Sequence, residues 1–257
     1  MMGIDWHYSL AGVLVGLVVG LTGVGGGSLM TPLLVLVFGV APATAVGTDL
    51  LYASATKAVG TTVHGWRGTV DWKVVGRLAM GSVPATIVTL LAIGHAGPAK
   101  TGHTISLILG IVLILSAIAA LFRARLVAYL TPRVGTVGSE HPVIFTVLLG
   151  AVLGAMVSLT SVGAGALGMT ALLILYPNLP VNRLVGSDIA HAVPLTLLAG
   201  IGHWMLGSVD GALLVSLLCG SIPGIIVGSL ISSRVSDRWL SPILATVLLL
   251  VGVKLLF

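Results

Sequence analysis

The chain has 257 residues, of which 57% are hydrophobic and only 7% are charged. A soluble domain carries about 25% charged residues, so these charges are too few to cover a water-exposed surface. Composition therefore argues against a soluble enzyme or a nucleic-acid-binding protein, and also against a disordered chain, because disordered segments are poor in apolar residues. The remaining class is a polytopic membrane protein embedded in the lipid bilayer, for which we predict an all-α fold.

Ten apolar segments follow one another along the chain, and most are long enough to span the roughly 30 Å hydrocarbon core of a bilayer. They cover residues 8–23, 28–38, 43–64, 72–93, 103–121, 143–158, 165–176, 184–205, 211–232 and 241–257. Two pairs contain short members, and each pair flanks a glycine-rich stretch, Gly23–Gly27 or Ser161–Gly165. A helix of about 12 residues rises only about 18 Å. We interpret these pieces as half-helices that meet at a break; a tight turn between two short spans is the alternative.

The two halves of the chain repeat each other. The glycine-rich stretches align at a shift of 138 residues, and after one inserted residue the shift becomes 139. The matching positions include Gly47-Thr48-Asp49 with Gly186-Ser187-Asp188, His64 with His203, Val70-Asp71 with Val209-Asp210, and Gly81-Ser82-Val83-Pro84 with Gly220-Ser221-Ile222-Pro223. We predict two membrane repeats, 1–121 and 142–257, joined by a linker at 122–141. Each repeat has a Gly-rich broken helix or helical hairpin followed by three transmembrane helices.

Basic residues predict the orientation of the repeats, because Lys and Arg collect on the cytoplasmic side of membrane proteins. Placing most of them inside leaves 94–102 and 206–210 outside, and Lys100 is the one Lys or Arg in these two loops. The repeats are then inverted, the linker is cytoplasmic, and both termini lie outside the plasma membrane. Inverted repeats with paired breaks are typical of secondary transporters, whose ligand site lies near the midplane. The residues placed inside are Arg67, Lys73, Arg77, Arg123, Arg125, Arg133, Arg183, Arg234 and Arg238.

One set of residues in the first half recurs in weakened form in the second. It consists of Gly23-Val24-Gly25-Gly26-Gly27, Pro32, Pro42, Gly47-Thr48, His64 and Gly68-Thr69-Val70-Asp71. This set resembles the TauE/SafE sulfite exporter family. The resemblance implies export or uptake of small sulfur-containing anions, such as sulfite or organosulfonates. The second half departs from the pattern, since it has Gly163-Ala164-Gly165 and no equivalent of Pro32, so the two half-sites cannot be equal.

The two breaks are candidates for binding the anion through backbone groups. A helix N-terminus carries roughly +0.5 charge and exposes N–H groups, so it can hold an anion without a basic side chain. The helix starting near Ser28 and the segment from Gly163 would contribute such groups from opposite sides, and nearby hydroxyls would add donors. Alternatively, the glycines only allow close helix packing. The candidate residues are Thr22, Gly25, Gly26, Gly27, Ser28, Thr160, Ser161, Gly163 and Gly165.

A second group of candidates is polar and lies within apolar segments. Thr48-Asp49 and Ser187-Asp188 are either helix N-caps with an acid in the first turn, or the acids lie by the pathway as proton carriers or cation ligands. In the family, a small neutral polar residue is expected at the position of Asp49. An acid at this position departs from the charge that the resemblance implies for the site.

Two further polar residues accompany these acids. Lys57 follows Asp49 by eight residues and would contact substrate or pair with it. His191 lies three residues after Asp188, within side-chain reach, although a structural role is favoured for it and for His64 and His203. We expect Asp71 and Asp210 to cap the helices that follow them.

The sequence contains no nucleotide-binding lysine loop, HExxH or CxxC pattern, so we expect no enzyme activity, no cofactor and no metal centre. The leading interpretation is a secondary transporter that moves a small sulfur-containing anion by alternating access, with protons coupled if the acids lie in the site. One alternative is a cation permease with Asp49 and Asp188 as ligands. Another is a membrane protein without transport, such as an intramembrane enzyme or an assembly factor. Glycine-rich faces could also pack between subunits, which would produce a homodimer.

Overall fold

A computed structural model describes residues 6–22, 27–66, 68–96, 98–140, 142–231 and 237–256, and these residues form helices joined by short turns, with no strand among them. The helices are α1 (Trp6–Thr22), α2 (Gly27–Leu36), α3 (Pro42–Trp66), α4 (Trp72–Ala96), α5 (Pro98–Leu121), α6 (Arg123–Glu140), α7 (Pro142–Thr160), α8 (Met169–Leu175), α9 (Val181–Met205), α10 (Gly211–Ile231) and α11 (Asp237–Leu256). A wide turn, Ala164–Gly168, leads into α8. The predicted all-α membrane fold is confirmed.

Five described helices contain stretches long and apolar enough to cross a membrane. These stretches are Trp72–Ala96, Thr104–Leu121, Val143–Thr160, Val181–Met205 and Gly211–Gly228. Helix α3 is as long as α9, with 25 residues, but it is less apolar because it carries Asp49, Lys57 and several threonines. In each repeat, one long central helix carries a candidate acid: α3 contains Asp49, and α9 contains Asp188.

Helices from the two repeats pack against each other reciprocally. The first helix of each repeat packs on the fourth helix of the other, so α1 contacts α10 and α7 contacts α4. The equivalent helices α3 and α9 pack together, as do α5 and α11. This exchange of partners supports the duplication seen in the sequence. The inverted orientation of the repeats and the position of the termini stay predictions.

Equivalent glycines allow the two exchanged crossings. In α1, a Cβ added to Gly16 would lie 2.5 Å from the carbonyl oxygen of Ser221 in α10. In α7, a Cβ added to Gly154 would lie 2.4 Å from the carbonyl oxygen of Ser82 in α4. Both distances are too short for a side chain, so glycine is needed for these backbones to approach. Because these glycine faces are used within the chain, they lend no support to the predicted homodimer.

The linker between the repeats forms a helix that the sequence pattern did not indicate. Helix α6 spans Arg123–Glu140 despite Pro132 in its interior. It packs against α8, the short helix that follows the second break. The linker is thus in contact with the centre of the second repeat.

Candidate functional site

The second glycine-rich break is a strained turn inside the protein. Helix α7 ends at Thr160, and Ser161 then adopts a φ of 58°, which non-glycine residues rarely adopt. Gly163 has a φ of 112° and is followed by the wide turn, in which the Gly168 N–H bonds the Gly163 carbonyl, five residues back. Every residue from Ser161 to Ala166 is buried. Backbone strain of this kind is often found at binding sites.

The first N–H groups after this break have no acceptor. Between Gly163 and Ala166, no backbone or side-chain oxygen in the described part of the chain accepts a bond from the main-chain N–H groups. They belong to a continuous helical segment, Ala164–Leu175, whose N-terminus carries partial positive charge. A buried N–H without a partner is unfavourable. The N-terminus of this buried segment thus has backbone donors without a partner among the described residues.

Thr160, a predicted ligand, has a structural role in this turn. Its hydroxyl accepts a hydrogen bond from the Val162 N–H at 3.2 Å and lies 2.8 Å from the carbonyl oxygen of Met156. Ser161 is different, because its buried hydroxyl has no hydrogen-bond partner among the described residues and lies next to the Asp49 carboxyl group. Of the two hydroxyl donors predicted at this break, the Thr160 hydroxyl bonds within the turn, whereas the Ser161 hydroxyl lies beside the Asp49 carboxyl group.

Asp49 is fully buried inside α3 and is held by α2. One carboxylate oxygen, Oδ2, accepts hydrogen bonds from the Thr31 N–H at 3.1 Å and from the Thr31 hydroxyl at 2.5 Å. The other oxygen, Oδ1, has no partner in the described part of the chain. The alternative in which Asp49 lies in the first turn of a helix is wrong, since α3 begins seven residues earlier, at Pro42.

Thr48 and Ser187 are helix-interior residues, so their predicted role as N-caps of their own helices is also wrong. Each hydroxyl instead accepts a hydrogen bond from the start of a helix in the other repeat. The Thr48 hydroxyl accepts from the Asp210 N–H at 3.1 Å, and the Ser187 hydroxyl from the Asp71 N–H at 2.8 Å. Their predicted contact with a substrate stays a prediction. Sequence alone could not show these hydrogen bonds, because the partners lie more than 100 residues away.

The predicted capping by Asp71 and Asp210 is confirmed. Asp71 Oδ1 accepts hydrogen bonds from the Lys73 and Val74 N–H groups at the start of α4. Asp210 Oδ1 does the same for Ala212 and Leu213 at the start of α10. These acids are structural, which leaves Asp49 and Asp188 as the two candidate acids of the centre.

Asp188 lies in α9 at the position equivalent to Asp49, but its surroundings differ. Its Oδ1 atom is buried without a hydrogen-bond partner in the described part of the chain. This oxygen faces Gly168, where an added Cβ would lie 3.2 Å away. The charged groups within electrostatic range are Lys57 and Arg123. Asp188 is therefore less firmly held than Asp49, which has two bonds to Thr31.

Lys57 is buried near both acids. It is only 7% exposed and is within electrostatic range of both carboxylates. It makes no direct ion pair or hydrogen bond within the described residues. A buried ammonium group without a direct partner is costly in a membrane protein. The predicted Asp49–Lys57 pair is therefore not a contact pair, and Lys57 remains available to a ligand.

His191 bonds across the repeats instead of to Asp188. Its Nε2 atom lies 2.9 Å from the Ser82 hydroxyl, and Nδ1 has no partner among the described residues. The equivalent position in the first half is Tyr52, which lies next to Ser221, the equivalent of Ser82. His203 is buried and bonds the Ser158 carbonyl at 2.8 Å, so it is structural. Sequence reasoning missed Thr31, Ser82 and Tyr52, although the repeat shift that pairs Tyr52 with His191 was available as a signal.

The predicted residues of the first break are only partly described. Helix α1 is described up to Thr22 and α2 from Gly27, so most of the predicted first break lies outside the described residues. Gly25 and Gly26 lie outside the described residues, and the side chains of Thr22 and Ser28 are likewise not described. Among the described residues, no group of three His, Cys, Asp or Glu side chains could hold a metal ion. The described centre therefore consists of the second break, Ser161, Asp49, Lys57, Asp188 and His191.

Together, the apolar helices and this buried polar centre define a polytopic integral membrane protein. A family described as Sulfite exporter TauE/SafE matches residues 8–255, so the chain belongs to this family of membrane transporters. It is 45% identical over 253 residues to a probable membrane transporter protein of Bacillus subtilis, YjnA, covering 96% of this chain and 98% of the relative. A second B. subtilis relative, the probable membrane transporter protein YdhB, is 29% identical over 81% of this chain and 82% of its own length. No solved structure matches the chain.

Proposed function

We propose that the protein is a secondary transporter for a small sulfur-containing anion, either sulfite or an organosulfonate. The observation that carries this proposal is the row of buried, unpartnered N–H groups between Gly163 and Ala166. A tetrahedral or pyramidal oxyanion can accept several such bonds at once, which a helix N-terminus provides without a basic side chain. The sulfur chemistry comes from the family description.

Side chains next to this break complete the proposed site. The Ser161 hydroxyl supplies a further donor, and Lys57 supplies a positive charge at the junction of α3 and α9. The buried acids offset that charge, so the empty site is not strongly positive. Protonation of an acid then compensates for the charge of the incoming anion. Proton coupling is thus part of the proposed cycle.

The reciprocal packing of the repeats supports alternating access around this centre. Equivalent helices meet at α3 and α9, and both carry the candidate acids. In the proposed cycle the repeats rock about this junction and expose the site to one side at a time. We further propose that the protein resides in the plasma membrane with the linker in the cytoplasm and both termini outside.

The direct test is uptake of radiolabelled sulfite into proteoliposomes that contain the purified protein. We expect saturable flux above that of protein-free liposomes, with competition by organosulfonates. Absence of flux with sulfite, sulfonates and thiosulfate would reject the proposed substrate class. Saturable inhibition by metal ions that disappears in Asp49→Asn would instead favour the cation permease.

Two substitutions test the break itself. Gly165→Leu places a side chain at the N-terminus of the buried helical segment and should abolish flux. The matched control is Gly76→Leu, because Gly76 lies on α4 with nothing within 4 Å of an added Cβ. Ser161→Gly removes the hydroxyl while keeping a residue that tolerates a φ of 58°. This variant should fold normally and raise the KM for sulfite; an unchanged KM would exclude Ser161 from the site.

A further inference from the structure

The two buried acids are equivalent in sequence, yet the structure surrounds them differently. Asp49 is 0% exposed, its Oδ2 atom receives two hydrogen bonds from Thr31, and Ser161 lies beside it. Asp188 is 7% exposed, and no hydrogen bond fixes its carboxylate within the described residues. A carboxylate that accepts hydrogen bonds is stabilised in its charged form. Thr31 thus stabilises the charged form of Asp49 and fixes its position, whereas Asp188 has no such bond and is suited to change its protonation.

Lys57 links this asymmetry to the anion site. It lies within electrostatic range of both carboxylates. With both acids and Lys57 charged, these three buried groups carry a net charge of −1, which disfavours entry of an anion. One proton on Asp188 removes that excess and frees Lys57 to face the anion. Protonation and anion binding then favour each other, since each lowers the free energy of the other.

The remaining charged and titratable groups near Asp188 do not alter this conclusion. Lys57 faces it from α3, Arg123 from the start of α6, and His191 lies one turn further along α9. Arg123 is only half-buried, so solvent weakens its effect on the centre. It also lines an open cleft of about 610 Å³ together with Leu173 and Pro242.

We propose that Asp188, and not its repeat partner Asp49, carries the coupling proton, and that Lys57 couples this proton to the anion. The proposal rests on the anion transport proposed above. In the cycle, Asp188 takes a proton from water on one side, so that an O–H bond forms on its carboxylate. The proton and the anion cross together, and Asp188 returns the proton to water on the other side. Lys57 then pairs electrostatically with the charged Asp188 while the site is empty.

The same geometry argues for a proton over a sodium ion. The carboxylate oxygens open to a metal ion at this centre are Asp49 Oδ1 and Asp188 Oδ1, which have no partner among the described residues. The Lys57 ammonium group already lies within electrostatic range of both, and its charge would repel a second cation. A proton needs only one oxygen. Transport should consequently not require sodium.

The test uses proteoliposomes with the membrane potential clamped by potassium and valinomycin, and protein-free liposomes as the blank. Radiolabelled sulfite is followed in two ways: accumulation driven by an inward pH gradient, and exchange at equal pH on both sides. Wild-type protein should show both activities in sodium-free buffer. Asp188→Asn should lose accumulation but retain exchange, because the neutral side chain permits anion binding without carrying a proton. Asp188→Glu should restore accumulation.

Matched variants make the assignment falsifiable. Asp49→Asn should impair exchange and accumulation together, and His191→Gln should not separate the two activities. The proposal is overturned if wild-type flux ignores the pH gradient, if Asp188→Asn loses exchange as well, or if Asp49→Asn or His191→Gln is the variant that loses only accumulation. Sulfite flux without a response to the gradient overturns this proposal alone. Absence of any sulfite flux removes the proposed function and this inference with it.

Discussion

The Ser187 hydroxyl in α9 accepts a hydrogen bond of 2.8 Å from the Asp71 N–H at the start of α4. In the other repeat, the Thr48 hydroxyl in α3 accepts from the Asp210 N–H at the start of α10. Each central helix therefore holds the beginning of a helix that belongs to the other half of the chain. The two acids of the centre directly follow these hydroxyl residues, so the links also fix the depth at which the acids lie.

Ser187→Ala should destabilise the protein by about 1 kcal/mol, since it removes one net hydrogen bond and leaves a helix N–H without its acceptor. Thr48→Val should have a similar effect. Denaturation of the purified protein in detergent, followed by circular dichroism, measures both. Thr62→Val is the control, because the Thr62 hydroxyl is exposed and bonds only to its own helix. Equal stability of Ser187→Ala and the control would contradict the role of the link.

Gly154→Ala should destabilise the protein by roughly 1–3 kcal/mol, because the added methyl group would overlap the Ser82 carbonyl oxygen unless α4 and α7 separate. Gly16→Ala should behave alike at the equivalent crossing of α1 and α10. The thermal midpoint in detergent gives the comparison. Gly76→Ala, on α4 in open space, should instead be neutral or stabilising by up to about 1 kcal/mol. A destabilised Gly76→Ala with an unaffected Gly154→Ala would refute the close crossing.

The Ser82–His191 hydrogen bond is expected to appear in a double-mutant cycle. Ser82→Ala and His191→Leu each remove the 2.9 Å contact between α4 and α9. The double variant should therefore lose less stability than the sum of the two single variants, with a coupling energy of about 0.5–3 kcal/mol. Ser82→Ala combined with Thr246→Ala, on an exposed part of α11, should be additive. Additivity in the first cycle would show that the contact contributes nothing.

Thr31 should act as a positioning residue for Asp49. Thr31→Val removes the hydroxyl that bonds Oδ2 and keeps the N–H bond. A hydrogen bond to a charged group contributes about 1.5–3 kcal/mol, so sulfite kcat/KM in proteoliposomes should fall about tenfold or more. Thr31→Ser should recover most of the activity because it retains the hydroxyl. If Thr31→Ser were as impaired as Thr31→Val, the methyl group and not the hydrogen bond would be responsible.

Hydrophobic periodicity and the internal repeat predicted much of this fold. The second break lies where short apolar pieces meet glycine, and the shift of 139 residues pairs Thr48 with Ser187 and Asp49 with Asp188. Helices are local, and the chain must satisfy its backbone hydrogen bonds within each span. Their bounds were therefore accessible from the sequence.

The partners of individual polar atoms were not accessible in the same way. Thr48 and Ser187 look like N-caps because Ser and Thr favour that position, but tertiary contacts turn their hydroxyls to another helix. Asp49 finds Thr31 only because α2 folds back onto α3. The helix of the linker was missed because Pro132 and nearby glycines lower its local propensity, while packing on α8 supports it.

The exchanged crossings have a consequence for how the protein is made. Helix α1 enters the membrane early in synthesis, but its glycine face is matched by α10, about 200 residues later in the chain. The glycine face of α1 therefore stays uncovered in the bilayer until α10 has been synthesised and inserted. Neither half of the chain can complete its packing alone. Assembly of the folded transporter is a late event that depends on the last helices, so truncations near the C-terminus should affect the N-terminal span as much as the site.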